Sequence, residues 1–448
     1  MSLNKKYFLH PNISIIIMIY IITSIIIYLI VDIIFYLLEK KNIKNIKKYV
    51  FGSPHPDKNM MINFIKDNIN NGFCLDIPEM KKYVNNEKSK RNITCYDILF
   101  YIRTYYGIYD IESIDTMKEL YDIVKIECDN NNIEIDNMNI FYNNYSKTHD
   151  IKLFFGLGVY RPVIYYRPII IGILINTIRY FVNYYYKQYN NWKLYIDPVQ
   201  ITDLRYMIKI NKSHKKTIIF FHVIGIGLFP YMHIMEILSN KYNMICLEFP
   251  GLNGDSLLIP KLEDIHLSVY NVLRKNKLYN THVYVLGHSY GTCIASSFIN
   301  HRNPFTHLYK ITGIILLEPI CFFHKIIRSH AIPAASYDEY MVIRKLSKFD
   351  LFARFQYKFI IHHISNQLAC SRTICGGGLA CFTNKKINGI VILSDNDDIL
   401  DSKEVYRYVN MYFTNLQVIM IKDSTHGNFI FNKTKMENII DRIIQFMI

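Results

Sequence analysis

The sequence lacks the marks of several large protein classes, and each absence narrows what the chain can do. Its nine cysteines show no Cys-x-x-Cys pair and no cysteine–histidine ligand spacing, which argues against a disulfide framework and against a zinc module. A reducing compartment suits such thiols. The net charge of +15 comes without a nucleic-acid module or a basic run interleaved with aromatics, so nucleic acid is not expected and a membrane surface is the better anionic partner. Gly376-Gly377-Gly378 lacks the following Lys-Ser/Thr of a phosphate-binding loop and no clear strand precedes it, so it reads as a flexible hinge. The apolar run near the N-terminus lacks the small-residue site that follows a removable signal peptide. No cofactor and no metal are called for.

What is present begins with that run. Residues 11–31 carry no charge, Asp32 interrupts, and 33–38 continue the apolar stretch, which is long enough to span a bilayer. Lys5 and Lys6 precede it, whereas Lys40, Lys41, Lys44, Lys47 and Lys48 follow. The heavier positive flank stays cytoplasmic, and the same lysines can hold the following domain against anionic lipid. A single-pass anchor with its domain in the cytosol is the expected localisation. Asn12, Asn92, Asn144, Asn211 and Asn432 begin glycosylation-like triplets, but heavy use of Asn produces these by chance.

Five segments are expected: a short tail over 1–12, the anchor over 13–38, a polar region of unassigned role over 39–155, an apolar and aromatic segment over 156–200, and a catalytic domain over 201–448. The polar region has amphipathic helical stretches at 95–106 and 114–128 and an Asn-rich loop near 129–144. In the fourth segment Arg161, Arg167 and Arg179 leave 168–178 as the cleanest apolar run, too short to span. A helix packed on the domain or lying in the interface is expected there. From 201 onward, strand-like runs at 217–223, 243–249, 282–286, 311–317, 389–393 and 416–421 alternate with helical runs at 229–240, 262–274, 290–300, 403–412 and 434–447. That rhythm is the sequence form of a mostly parallel sheet flanked by helices. The stretch at about 320–386 interrupts it and reads as an inserted cap.

The chemistry is concentrated at Gly287-His288-Ser289-Tyr290-Gly291, where a β-branched apolar run turns into an amphipathic helix. A serine held on such a strained turn presents its hydroxyl as a nucleophile, and the flanking glycines allow strand and helix to approach. The competing reading is a serine that merely caps the helix. Further along, Ser394-Asp395-Asn396-Asp397-Asp398 follows one strand and Ser424-Thr425-His426-Gly427 follows the last. Any one of these acids can instead cap the next helix.

Phe221-His222-Val223-Ile224-Gly225-Ile226-Gly227, the serine pentapeptide, Leu317-Glu318-Pro319 and the order Ser, Asp, His together resemble the α/β-hydrolase family. The likeness is to a membrane-anchored subgroup of unknown substrate, and it covers roughly 160 to the C-terminus. It implies an α/β-hydrolase fold with an N-terminal transmembrane helix and an inserted cap. It also implies catalysis by Ser289, Asp397 and His426, with Asp398 as the fallback acid and an oxyanion hole from the amide of Tyr290 and that of Ile224 or Val223. The family has His-Gly where this chain has His222-Val223. Glycine allows a turn there that valine resists, which favours reduced activity. His222 is expected to support the loop.

The function this implies is cleavage of an ester or thioester of a lipid-like or acyl substrate at a membrane. An alcohol acceptor in place of water would make the same site an acyltransferase. The alternative is a catalytically silent α/β-hydrolase fold kept as a membrane scaffold or binding protein. No protein partner is indicated.

Overall fold

Eight strands form one sheet in the order β1-β2-β4-β3-β5-β6-β7-β8. They are β1 (Lys193–Ile196), β2 (Arg205–Lys209), β3 (Lys216–Phe221), β4 (Asn243–Glu248), β5 (His282–His288), β6 (Ile311–Leu317), β7 (Asn388–Ser394) and β8 (Leu416–Ile421). The computed structural model describes residues 11–46, 114–130, 166–189, 191–197, 204–249, 262–278, 281–300, 309–322, 386–397 and 399–448, with Pro260 and Asn384. The expected helix at 95–106, most of the Asn-rich loop, most of the cap with its triple glycine, and Asp398 lie outside the described residues.

From β4 to β8 all neighbours run parallel, while β1/β2 and β2/β4 pair antiparallel. The parallel strands other than the edge strand β8 are largely covered on both faces, as their continuous Ile, Val, Leu and Phe runs require. Every residue of β4 is buried, as is β5 beyond its first residue. The two antiparallel strands were absent from the expected set. β1 is a four-residue edge strand with mostly exposed side chains, too short to register as a period. β2 alternates little because its centre is buried on both faces.

Helices α1 (Pro11–Ile46), α2 (Ile114–Asn130) and α3 (Ile169–Tyr189) precede the sheet, and α4 (Met232–Ser239), α5 (Leu262–Lys275), α6 (Tyr290–Ile299), α7 (Ser402–Tyr412) and α8 (Lys433–Met447) alternate with its strands. The expected helix at 229–240 is split. Pro230 lies in a short 3₁₀ turn, Phe229–Tyr231, that leads into α4, because proline is tolerated only in a first turn. Within α8, Met436, Ile439, Ile440, Ile443 and Met447 are buried, a helical stripe that packs on the sheet.

In α1, Ile19–Leu38 has a mean hydropathy of 2.6 and none of it is buried within the chain. Among the described residues it is the one helix long and apolar enough to cross a membrane. Arg179, one of the arginines that seemed to fragment 160–186, does not interrupt α3, because it turns toward the sheet, where its Nε lies 3.5 Å from Glu248 Oε1. A 21-residue helix results.

The elbow is possible only because β5 and α6 almost touch. A Cβ placed on Gly291 would lie 2.0 Å from the carbonyl oxygen of Phe221, and one on Gly287 would lie 2.7 Å from the carbonyl oxygen of Gly291. Both obstacles are backbone, which cannot swing aside. Gly291→Ala should therefore destabilise the fold by about 3 kcal/mol, the scale of an overpacked core, lowering the thermal midpoint by roughly 6–12 °C for a domain of this size. Thermal unfolding of the detergent-solubilised protein measures this. A midpoint equal to that of the native chain would contradict the close approach.

Candidate active site

Ser289 stands between β5 and α6 with φ 49 and ψ −115, a conformation that L-residues rarely adopt and that persists only where the surroundings enforce it. Its amide donates to Leu317 O at 2.9 Å, so β6 clamps the turn from one side while Gly291 abuts β3 on the other. The side chain points to His426. Ser289 Oγ lies 2.9 Å from His426 Nε2, and His426 Nδ1 lies 2.8 Å from Asp397 Oδ2. With a carboxylate on Nδ1, that nitrogen carries the proton and Nε2 accepts from the serine hydroxyl.

Three carboxylates compete in the loop after β7, and the described two have separate tasks. Asp395 Oδ1 accepts from Ser424 N at 3.0 Å, tying the acid loop to the base loop. That bond is the largest of the effects holding its carboxyl below the usual range. Asp397 is buried, and its Oδ1 accepts from the amides of Ile399 and Leu400, both at 2.8 Å, leaving Oδ2 for the imidazole. Capping of α7 falls to Asp401, which accepts from Glu404 N. Asp397 is thereby free of the capping role.

The oxyanion candidates are placed as follows. Tyr290 is the first residue of α6, directly after Ser289. Val223 takes no left-handed conformation, and the loop makes its tight turn at Gly227 with φ 71 instead, so a β-branched residue is accommodated without the glycine that the family has. Its amide donates to Tyr231 Oη at 3.4 Å. The amide of Ile224 makes no hydrogen bond among the described residues. His222 holds this loop: its Nε2 accepts from Phe249 N at 3.2 Å and its Nδ1 donates to Val223 O at 2.6 Å. Burial lowers its pKa to about 4, keeping it neutral for both bonds.

Glu318, His288 and Tyr231 carried no role in the sequence reading. Glu318 ends β6 in a left-handed conformation, φ 45, and is 1% exposed. Its Oε2 accepts from His288 Nε2 at 3.0 Å and from Gly427 N at 2.6 Å, and its Oε1 accepts from Ser394 Oγ at 2.5 Å. That oxygen Oε2 is also 3.7 Å from His426 Nδ1. Tyr231 donates to His288 Nδ1 at 2.5 Å. The result is a line, buried at its centre, from the Val223 amide through Tyr231, His288 and Glu318 to the Gly427 amide. The acid between a buried strand and Pro319 was the signal that could have found Glu318, since a charge there needs several partners.

His288, Glu318 and His426 also bring metal-ligand atoms within 4.8 Å of one another. Those atoms are already engaged: His288 and Glu318 bind each other, and His426 lies between Ser289 and Asp397. The cluster is read as a hydrogen-bond network.

No protein-family model matches this sequence and no curated protein matches it. Several solved structures are similar in shape. The lip1 product of Acinetobacter baumannii is 13% identical, with 61% of this chain and 94% of that one covered and a TM-score of 0.44. Naproxen esterase from Bacillus subtilis is 11% identical, with 59% and 97% covered and a TM-score of 0.41. A lipase-esterase related protein from Clostridium acetobutylicum is 16% identical, with 54% and 99% covered and a TM-score of 0.40. Strand order and the elbow decide the matter independently. The chain has the α/β-hydrolase fold.

Burial raises the pKa of Glu318, but His426, His288 and Ser394 outweigh it and hold the group below its ordinary value. A carboxylate with a depressed folded-state pKa stabilises the fold above its unfolded pKa and loses that contribution as pH falls through the folded value. At neutral pH, Glu318→Gln should cost about 3 kcal/mol, as when one member of a buried pair is removed. The gap from the native chain should shrink on acidification below the ordinary glutamate range, near pH 4. Thermal unfolding across that range measures both effects. A gap independent of pH would mean that Glu318 is not ionised in the fold.

Proposed function

We propose that this chain is a membrane-anchored serine hydrolase that cleaves an ester or thioester of a lipid-like or acyl substrate. The observation that carries the reading is the continuous hydrogen-bonded line Ser289–His426–Asp397, with spacings of 2.9 and 2.8 Å, on a serine held at positive φ.

Ser289 Oγ attacks the carbonyl carbon as its proton passes to His426 Nε2. Asp397 stabilises the imidazolium through Nδ1, and the Glu318 carboxylate, 3.7 Å from the same nitrogen, adds a second negative charge. The developing oxyanion is received by the amide of Tyr290 and, across the β3 loop, by that of Ile224, with Val223 behind it. Collapse expels the alcohol or thiol, which takes the proton from His426 and leaves an acyl group on Ser289. Water then gives its proton to His426 and attacks the acyl carbonyl, and collapse releases the acid as His426 returns that proton to Ser289 Oγ. An alcohol in place of water gives an acyltransferase.

The length, hydropathy and exposure of Ile19–Leu38 support the membrane assignment, and the lysines after it support a cytosolic catalytic domain. A catalytically silent scaffold is the second reading. The Val223 amide favours it, because that group donates toward Tyr231 and leaves Ile224 to complete the hole.

Hydrolysis of 4-nitrophenyl esters from acetyl to lauroyl separates the two. The native chain should turn over at least one, Ser289→Ala and His426→Ala should lose nearly all activity, and Asp397→Asn should lose about 10³–10⁴-fold in kcat, as expected when an imidazole loses its correct tautomer. A folded native chain inert toward the whole series, or a Ser289→Ala variant as active as the native chain, would sink the enzyme reading.

A further inference from the structure

Helix α3 carries apolar side chains on two faces, and only one of them is used by the domain. Ile175, Val182 and Tyr186 are buried, with Tyr186 donating to Met232 O at 2.7 Å and packing edge-on against Trp192. On the other side Ile170, Ile173, Leu174, Tyr180, Phe181 and Tyr184 are 47–67% exposed, interrupted by Asn176 and Thr177. Their spacing is helical and their order is graded: aliphatic in the first half, aromatic in the second.

The start of α3 is fastened to α1. Asp32, the one acid inside the apolar stretch of α1, accepts from Tyr166 Oη at 2.7 Å and from Ile169 N at 3.0 Å, and Tyr36 packs edge-on against Tyr166. A carboxylate within a span is costly unless partnered, and here the partners are the first turn of α3 and the tyrosine just before it. Asp32 lies six residues before Leu38, so this junction sits roughly 9 Å inside the end of the span at the helical rise per residue.

We infer that the exposed face of α3 is embedded in the same bilayer as α1, with Ile170, Ile173 and Leu174 among the acyl chains and Tyr180, Phe181 and Tyr184 at the headgroup level. Continuity with α1 identifies lipid as the occupant, and the change from aliphatic to aromatic matches the interfacial belt of membrane proteins. The inference rests on the reading of α1 as a membrane span.

It also sets the attitude of the catalytic domain. Glu248, at the C-terminal end of β4, meets Arg179 at 3.5 Å and Asn183 at 3.5 Å, and the next residue, Phe249, donates to His222 beneath the oxyanion loop. The membrane helix thus grips the edge of the sheet from which Ser289 rises. Ser289 is thereby held beside the leaflet, and an acyl substrate reaches it from the lipid phase.

The full chain has one tryptophan, Trp192, buried in the domain, which provides a built-in reference for fluorescence. Leu174→Trp, Phe181→Trp and, in α1, Ile26→Trp are each reconstituted in phosphatidylcholine vesicles with or without bromine on the acyl chains. The added emission at 174 should lose at least half its intensity to bromine, as at 26, with a smaller but measurable loss at 181 nearer the headgroups, while Trp192 in the native chain keeps its own. If 26 is quenched but 174 and 181 are not, the α3 proposal falls alone, whether water, a second copy or another protein covers that face. If none is quenched, the spanning reading of α1 falls and takes the proposal with it.

Discussion

The distance between two backbones governs this molecule. Where α6 leaves β5, Gly291 sits so close to the end of β3 that a methyl group in its place would overlap the Phe221 carbonyl. That approach forces the chain to reverse within one residue, and Ser289 takes the left-handed conformation that results. Because β3 is the immediate neighbour of β5, the loop after β3 lies against the first turn of α6. The loop proposed to receive the oxyanion and the proposed nucleophile, Ser289, are neighbours through the same contact. The cost of the strained serine is met by its surroundings: β5 beyond its first residue and all of α6 are buried, so the turn cannot relax without opening the core.

A second constraint joins the two loops that must cooperate. The line Val223–Tyr231–His288–Glu318–Gly427 connects the loop after β3 to the loop carrying His426 through hydrogen bonds that are buried at its centre and part-buried at its ends. Burial keeps His288 on the neutral side, which fixes its direction: Nε2 donates to Glu318 and Nδ1 accepts from Tyr231. A network of this kind is rigid when fully satisfied and costly when any member is removed. His426 therefore has two carboxylates near its Nδ1, one in direct contact and one behind the loop that carries it.

Much of this was legible in the residues. The turn around Ser289 and the strands β3 to β8 follow from period and turn chemistry, whereas the choice of Asp397 and His426, in the loops after β7 and β8, comes from the resemblance to the α/β-hydrolase family. What escaped has physical reasons. β1 is too short to show alternation and β2 is buried on both faces, so neither has a period to read. Arg179 looked like a break in an apolar run, yet its partner Glu248 is 69 residues away in sequence and cannot be seen locally. Glu318 was visible as part of a tripeptide, but its value comes from three partners brought in by β5, β7 and the last loop. At Val223 the sequence suggested a strained turn. The loop places its left-handed residue at Gly227 instead, a redistribution that a residue-by-residue comparison does not predict.

The central claim is that the fold activates one serine out of the many in the chain. The most direct measurement is the intact mass of the native protein after exposure to diethyl 4-nitrophenyl phosphate, followed by peptide mapping. Such a reagent phosphorylates a serine whose proton is taken by a neighbouring base and whose oxyanion is stabilised. The account predicts one diethylphosphoryl group per chain, carried by the peptide containing Ser289. An unmodified folded chain, or modification at another residue with Ser289 untouched, would contradict it.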